Sequence, residues 1–181
     1  MVDDAIEIRP LKQGEEARVC DLVLAVFDRF VAPEFSPEGR EEFCRYVQPE
    51  LLAERAQRDH AVLVAAAGER ITGVIELRDG HHVSLFFVDE AYQGRGLGGR
   101  LFREALALGQ AQAGAAGQIS VNSSVYAVPI YERLGFAQTG SEETQNGIRF
   151  VPMARRLDSG MEESDPAPMA SSPSTPKSRQ R

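Results

Sequence analysis

The chain has 181 residues and a formal net charge of −7, a length that suits one domain with one sizeable core and leaves no room for a second enzyme domain. With 43% hydrophobic and 26% charged residues, it matches the globular average, which excludes disorder over most of its length. The acidic balance argues against nucleic acid as a partner, because a phosphate-backbone binder needs a basic patch to release counterions; a cationic partner suits it better.

In chain order, Ile6 and Ile8 alternate with polar neighbours ahead of Pro10 and predict a short first strand. Val19, Leu22, Val23, Val26, Phe27 and Phe30 recur three and four apart, the apolar stripe of a helix that starts near Gly14, Glu15 and Glu16. Cys20 and Cys44 lack metal-ligand neighbours at short spacing and read as packing residues, and no metal site is expected. Ser36 before Pro37 fits the N-cap of a second helix, and Pro49 opens a third. Val62–Ala66, Ile71–Leu77 and Val83–Val88, joined by Gly68-Glu69 and Asp79-Gly80, predict an antiparallel meander. A helix over 97–113 follows, then a strand at Ile119–Asn122 and a helix from about Val128 that Gly135 closes. A last pair of strands, Phe136–Thr139 and Ile148–Met153, completes an α+β (mixed α/β) plan around a single sheet. The expected domain is 1–157. The Ser- and Pro-rich stretch 158–181 cannot repay its ordering entropy and is expected to be a disordered tail. The N-terminus has no basic and apolar leader, and no stretch is long enough to span a bilayer, so a cytoplasmic protein without membrane contact is expected.

The segment with chemical content is Val83 to Gly99: a buried strand, a polar connection, and glycines that open a helix. Glycines let several backbone N–H groups converge, and a helix N-terminus favours an anion, so this geometry suits a pyrophosphate. A P-loop would need Gly-Lys-Ser/Thr, whereas Gly99 precedes Arg100 and Leu101. Gly94, Gly96 and Gly99 satisfy the dinucleotide-binding spacing, but Asp89 to Gln93 separate them from their strand, and the preceding strands are hairpins.

Gln93-Gly-Arg-Gly-Leu-Gly98 resembles the Arg/Gln-x-x-Gly-x-Gly/Ala loop of the GNAT acetyltransferase superfamily. Tyr131-Glu-Arg-Leu-Gly-Phe136 resembles the phrase with which such proteins often end their next helix. The likeness covers residues 5–157 in element order and implies the GNAT fold, a mostly antiparallel twisted sheet flanked by helices, with acetyl-CoA as co-substrate. By this resemblance the backbone of Phe86, Phe87 and Val88 binds the pantetheine arm. The amides of Gln93, Gly94, Arg95, Gly96, Leu97, Gly98 and Gly99 hold the pyrophosphate, and the Val88 N–H stabilises the oxyanion. Tyr131 is the proton donor to the departing sulfur, and Ser124 stands where many relatives place a CoA-touching asparagine.

For the general base two residues stay open. Strict alternation puts His82 on one face with residues 84, 86 and 88, and Glu76 lies on the neighbouring strand. The expected activity is direct transfer of an acetyl group to a primary amine, small or peptidic, by a monomer or homodimer. The alternative is a non-catalytic CoA-binding or interaction module of the same fold. The acceptor side is expected to be shaped by Phe27–Arg40 and Thr139–Gly147, with Phe30, Phe35 and Tyr46 as apolar lining and Glu34, Glu142 and Glu143 as cation-attracting groups.

Overall fold

The computed structural model describes residues 5–113 and 117–157; the stretch 158–181, expected to be a disordered tail, lies outside them. The chain opens with strand β1 (Ile6–Pro10) and helix α1 (Glu16–Phe30), followed by a 3-10 turn (Ala32–Glu34) and helices α2 (Pro37–Tyr46) and α3 (Pro49–Ala56). Strands β2 (His60–Ala67), β3 (Arg70–Arg78) and β4 (His82–Val88) form the meander, and helix α4 (Leu97–Ala113) follows a second 3-10 turn, Glu90–Tyr92. Strand β5 (Gln118–Ser123), helix α5 (Val128–Arg133) and strands β6 (Ala137–Gln138), β7 (Glu143–Gln145) and β8 (Ile148–Arg156) complete it.

Local chemistry explains the boundaries. Ser36 caps α2, its hydroxyl accepting from the Gly39 N–H at 3.2 Å, and Pro37 takes the first helical position. The β3–β4 turn puts Asp79 and Gly80 in the left-handed region, at φ 52° and 72°, as a tight hairpin requires. Asn146 and Gly147 do the same, at φ 51° and 76°, and the turn they make explains a strand the sequence reading lacked. The short β7 is the partner that this turn returns to β8.

The sheet runs β1-β2-β3-β4-β5-β8-β6, with β7 also on β8, and among the described residues the one parallel neighbour pair is β4–β5. It is mixed and mostly antiparallel, with helices on both faces, as expected. One core packs α4 and α5 (Leu101, Phe102, Tyr131) on Ile75, Val83 and Ile119; the other packs α1 and α3 (Val19, Val23, Leu52) on Val64, Val74 and Leu85. No helix among the described residues is long and apolar enough to cross a membrane.

Two features of this sheet position the site. In the β3–β4 ladder Glu76 pairs with Leu85 and Leu77 with Val83, so Ser84 is an extra residue, a bulge. Strand β5 pairs with β4 only at His82↔Ser120 and Val83↔Val121, then leaves it and stays on β8 as far as Ser123↔Val151. Beyond Val83 the two strands diverge, and a gap opens beside Phe86 and Val88.

Helix α2 is fastened to the β7–β8 turn, where the Ser36 N–H donates to the Gly147 carbonyl at 3.2 Å. A methyl group on Gly39 would collide with that same carbonyl. Gly39→Ala is therefore expected to lower stability by about 1–3 kcal/mol, as overpacking does. Urea unfolding measures this, and an unchanged midpoint would mean that the helix and the turn are not held together.

Candidate active site

The gap between β4 and β5 is the deep end of a cleft of about 570 Å³. Its floor is β4 (Ser84, Phe86, Phe87, Val88), its far wall β5, α5 and the connection between them (Asn122, Ser124, Ile130, Tyr131), and Gln93, Gly94 and Gly98 form one end. The side chains of Phe30, Val31, Phe35, Phe43, Tyr126 and Ile148 form the other end.

At the glycine end, Gly94 and Gly96 adopt φ 71° and 79°, and a methyl group added to either would meet nothing within 4 Å. These glycines therefore serve backbone direction rather than close packing. The first bond that closes α4 runs from the Arg100 N–H to the Gly96 carbonyl at 3.1 Å, and among the described residues the amides of 94–99 have no protein acceptor outside the helix. Such a row of free donors at a helix N-terminus attracts an anion. The Gln93 side-chain nitrogen Nε2 donates to the Val88 carbonyl at 2.8 Å and ties the turn to the end of β4, while its backbone N–H, expected among the pyrophosphate-holding amides, donates to the Glu90 carbonyl at 3.3 Å. Beside Gly99 a second groove is lined by Arg103, Arg133 and Arg155, a cationic corner on an acidic protein. No sequence signal singled out these arginines, because the fold collects them from three separate elements.

Along β4 the backbone is also available. The Asp89 N–H donates to the Thr72 carbonyl of β3 at 2.9 Å. Strand alternation then turns the N–H groups of Val88 and Phe86 the other way, into the gap. Gly98 lets α4 approach closely, since a methyl group there would sit 3.5 Å from the Phe86 ring.

Tyr131 lies on the opposite wall, only 6% exposed, with its ring 6.1 Å from Phe86 and 5.3 Å from Phe136. Burial alone pushes its phenol well above the usual tyrosine range, so it keeps its proton at any physiological pH. Ser124 also lines the cleft, but its oxygens serve the turn into α5: the Ala127 N–H donates to both the hydroxyl (3.3 Å) and the carbonyl (3.0 Å).

The remaining expected residues lie elsewhere. Arg95 and Gly96 are exposed on the turn, Leu97 is a core residue at 3% exposure, and Gly99 belongs to the arginine groove. Of the expected acceptor groups, Phe30 and Phe35 line the cleft, whereas Tyr46 does not. Glu142 pairs with Arg149 at 2.6 Å, and neither Glu34 nor Glu143 is in the lining.

Strict alternation fails for His82. The Ser84 bulge shifts the phase, so Val83 and Phe86 both face α4 whereas Leu85 and Phe87 face α1. His82 thus falls on the face opposite Phe86 and Val88, where its Nδ1 meets the Ser120 hydroxyl at 2.9 Å. Burial lowers its pKa from 6.5 to about 4. A neutral buried imidazole stabilises the fold fully above its unfolded value and loses that contribution as pH falls. Stability should drop between about pH 6.5 and 4, and His82→Gln should flatten that part of a pH–melting curve. An unaltered slope would exclude His82 as its source.

Glu76 is fully buried on the α1 face. Its carboxylate accepts from the Arg55 guanidinium at 2.8 Å and contacts the His60 Nδ1 at 2.7 Å, while Arg55 also stacks on Tyr46 at 3.8 Å. Neither His82 nor Glu76 lines the cleft, and no group of three or more metal-ligating side chains occurs among the described residues.

Comparison with known proteins agrees with this geometry. The family model of the acetyltransferase (GNAT) domain matches residues 31–157. A GCN5-related N-acetyltransferase from Rhodopseudomonas palustris superposes with a TM-score of 0.72 at 21% identity, over 87% of this chain and 99% of that one. The PaiA N-acetyltransferase of Thermoplasma acidophilum, solved with coenzyme A, gives 0.70 at 20% identity over 84% and 99%. An aminoglycoside 6'-N-acetyltransferase, also solved with coenzyme A, gives 0.64 at 13% identity over 83% and 96%. No curated protein matches the chain. A strand gap beside a free-amide turn, a shared fold and a family match over most of the length lead to one conclusion: the chain belongs to the GNAT acetyltransferase family.

Proposed function

We propose that the protein transfers the acetyl group of acetyl-CoA directly to a primary amine. The observation that carries this reading is the single cleft that joins the glycine turn to the buried phenol of Tyr131 along the unpaired edge of β4. Acetyl-CoA would supply an activated acetyl thioester. The amides of Gly94 to Gly99 would hold its diphosphate, with Arg103 and Arg133 nearby as countercharge. The outward N–H groups of Phe86 and Val88 would take the pantetheine arm as an added strand, and Val88 would stabilise negative charge on the carbonyl oxygen.

In the transfer the amine nitrogen bonds to the carbonyl carbon, the carbon–sulfur bond breaks, and Tyr131 gives its proton to the sulfur. The nitrogen loses a proton through water, which restores the phenol. Because His82 and Glu76 lie off the cleft, the ammonium form of the acceptor deprotonates to water on entry, favoured by the apolar walls. Glu76 acts instead as a structural anchor.

Thiol release from acetyl-CoA in the presence of a panel of amines tests this. Release that requires both an amine and Tyr131 supports transfer. Thermal stabilisation by CoA without release under any amine would make the protein a non-catalytic CoA-binding module.

A further inference from the structure

We infer that the acceptor is a small monoamine carrying an aromatic or similarly bulky apolar group; this rests on the acetyl-transfer reading and names its substrate class. Beyond Tyr131 the cleft ends among Phe30, Phe35, Phe43, Phe87, Tyr126 and Ile148. Phe43 and Phe87 lie 6.0 Å apart, and Phe35 stands edge-on to Phe43 at 6.4 Å. Phe30 at the end of α1 stacks on Tyr126 of the β5–α5 connection, at 5.2 Å and 19°. That contact links the two walls of the cleft and bounds the pocket, which favours a compact acceptor over a chain that must run through it.

The lining holds no carboxylate, and its one charged residue is Arg133. The acidity of the protein is therefore not expressed in this lining; elsewhere on the surface Glu90 is paired to Arg29 at 2.9 Å and Glu142 to Arg149. One oxygen of Glu34 is buried without a partner, but Glu34 does not line the cleft. A second ammonium on the acceptor would be desolvated here without a counterion, which is costly. Burial of an aryl group gives about 1.5–3 kcal/mol, or roughly ten- to hundredfold in affinity. Polyamines and aminoglycosides are thus disfavoured by the same walls that favour an arylalkylamine.

The test measures kcat/KM for 2-phenylethylamine, propylamine, spermidine, kanamycin and a peptide with N-terminal phenylalanine. It also measures binding of the neutral product N-(2-phenylethyl)acetamide to the CoA-loaded protein by calorimetry. The expected result is a preference for 2-phenylethylamine of at least about tenfold over propylamine and a hundredfold over spermidine, with the acetamide bound and N-propylacetamide bound at least tenfold more weakly. Phe30→Asp, which places a carboxylate in the pocket, should reduce the preference for 2-phenylethylamine over spermidine by tenfold or more, with its melting temperature checking the fold. Spermidine or kanamycin used as well as 2-phenylethylamine would overturn the inference and leave acetyl transfer standing. A tenfold better peptide would overturn the small acceptor. If the aryl acetamide binds selectively but no amine releases thiol, the apolar acceptor site is supported and the transfer reading fails.

Discussion

Tyr131→Phe should lower kcat about a hundredfold or more while leaving the KM for acetyl-CoA and the melting temperature nearly unchanged. The change removes one oxygen atom. The ring that packs between Phe86 and Phe136 stays, so the core keeps its contacts and only the proton donor is lost. Burial, the sole cause of the raised phenol pKa, makes Tyr131 a weak acid before turnover. It becomes an effective donor when a thiolate, itself a strong base in an apolar cleft, develops beside it. A loss confined to KM would assign Tyr131 to binding alone, and an unchanged kcat would remove it from the chemistry.

The largest effect on stability should come from Glu76→Ala. Its carboxylate has no exposure to solvent and is held by Arg55 and His60, and Arg55 also donates to the Tyr46 carbonyl at 3.0 Å. Removal of the carboxylate leaves the mostly buried Arg55 charge with only the Tyr46 carbonyl and ring as partners, at a cost of about 3–5 kcal/mol. For a domain of this size that is a loss of roughly 10 °C in melting temperature. Turnover per folded molecule should fall less than about tenfold, because Glu76 does not reach the cleft. A general base would behave in the opposite way, losing a hundredfold or more in rate with the fold intact. Thermal melts and kcat measured on the same preparation separate the two roles.

The residues that announced themselves in the sequence were those whose role is local. Ser36 and Pro37 start α2, Asp79 and Gly80 turn the hairpin, and Gly94 and Gly96 take positive φ, each for reasons that a few neighbouring residues contain. The same holds for the helix stripes, whose periodicity reports burial directly. The free-amide turn was therefore legible, while Tyr131 was singled out by the family resemblance of its phrase; the cleft brings Gly94, Gly98 and Tyr131 together.

Illegible features depend on strand register or on distant elements. Nothing in Val83-Ser84-Leu85 states that Ser84 bulges; that follows from how β3 and β4 pair around it, and it alone moves His82 to the opposite face. In the sequence Glu76 is a carboxylate on the strand next to that of His82, open as a general base. Only the packing of α3 over the sheet buries it and supplies Arg55. Arg103, Arg133 and Arg155 come from α4, α5 and β8, too far apart in sequence for any window to group them. The aromatic end of the cleft combines α1, α2, β4 and β8 in the same way.

The most direct test is a crystal of the protein grown with acetyl-CoA or a non-hydrolysable thioether analogue. The diphosphate should lie against the amides of Gly94 to Gly99, the pantetheine arm along Phe86 to Val88, and the sulfur within hydrogen-bond reach of the Tyr131 hydroxyl. An analogue bound outside the β4–β5 gap, or bound with its sulfur remote from Tyr131, would contradict the proposed acetyl transfer at this site.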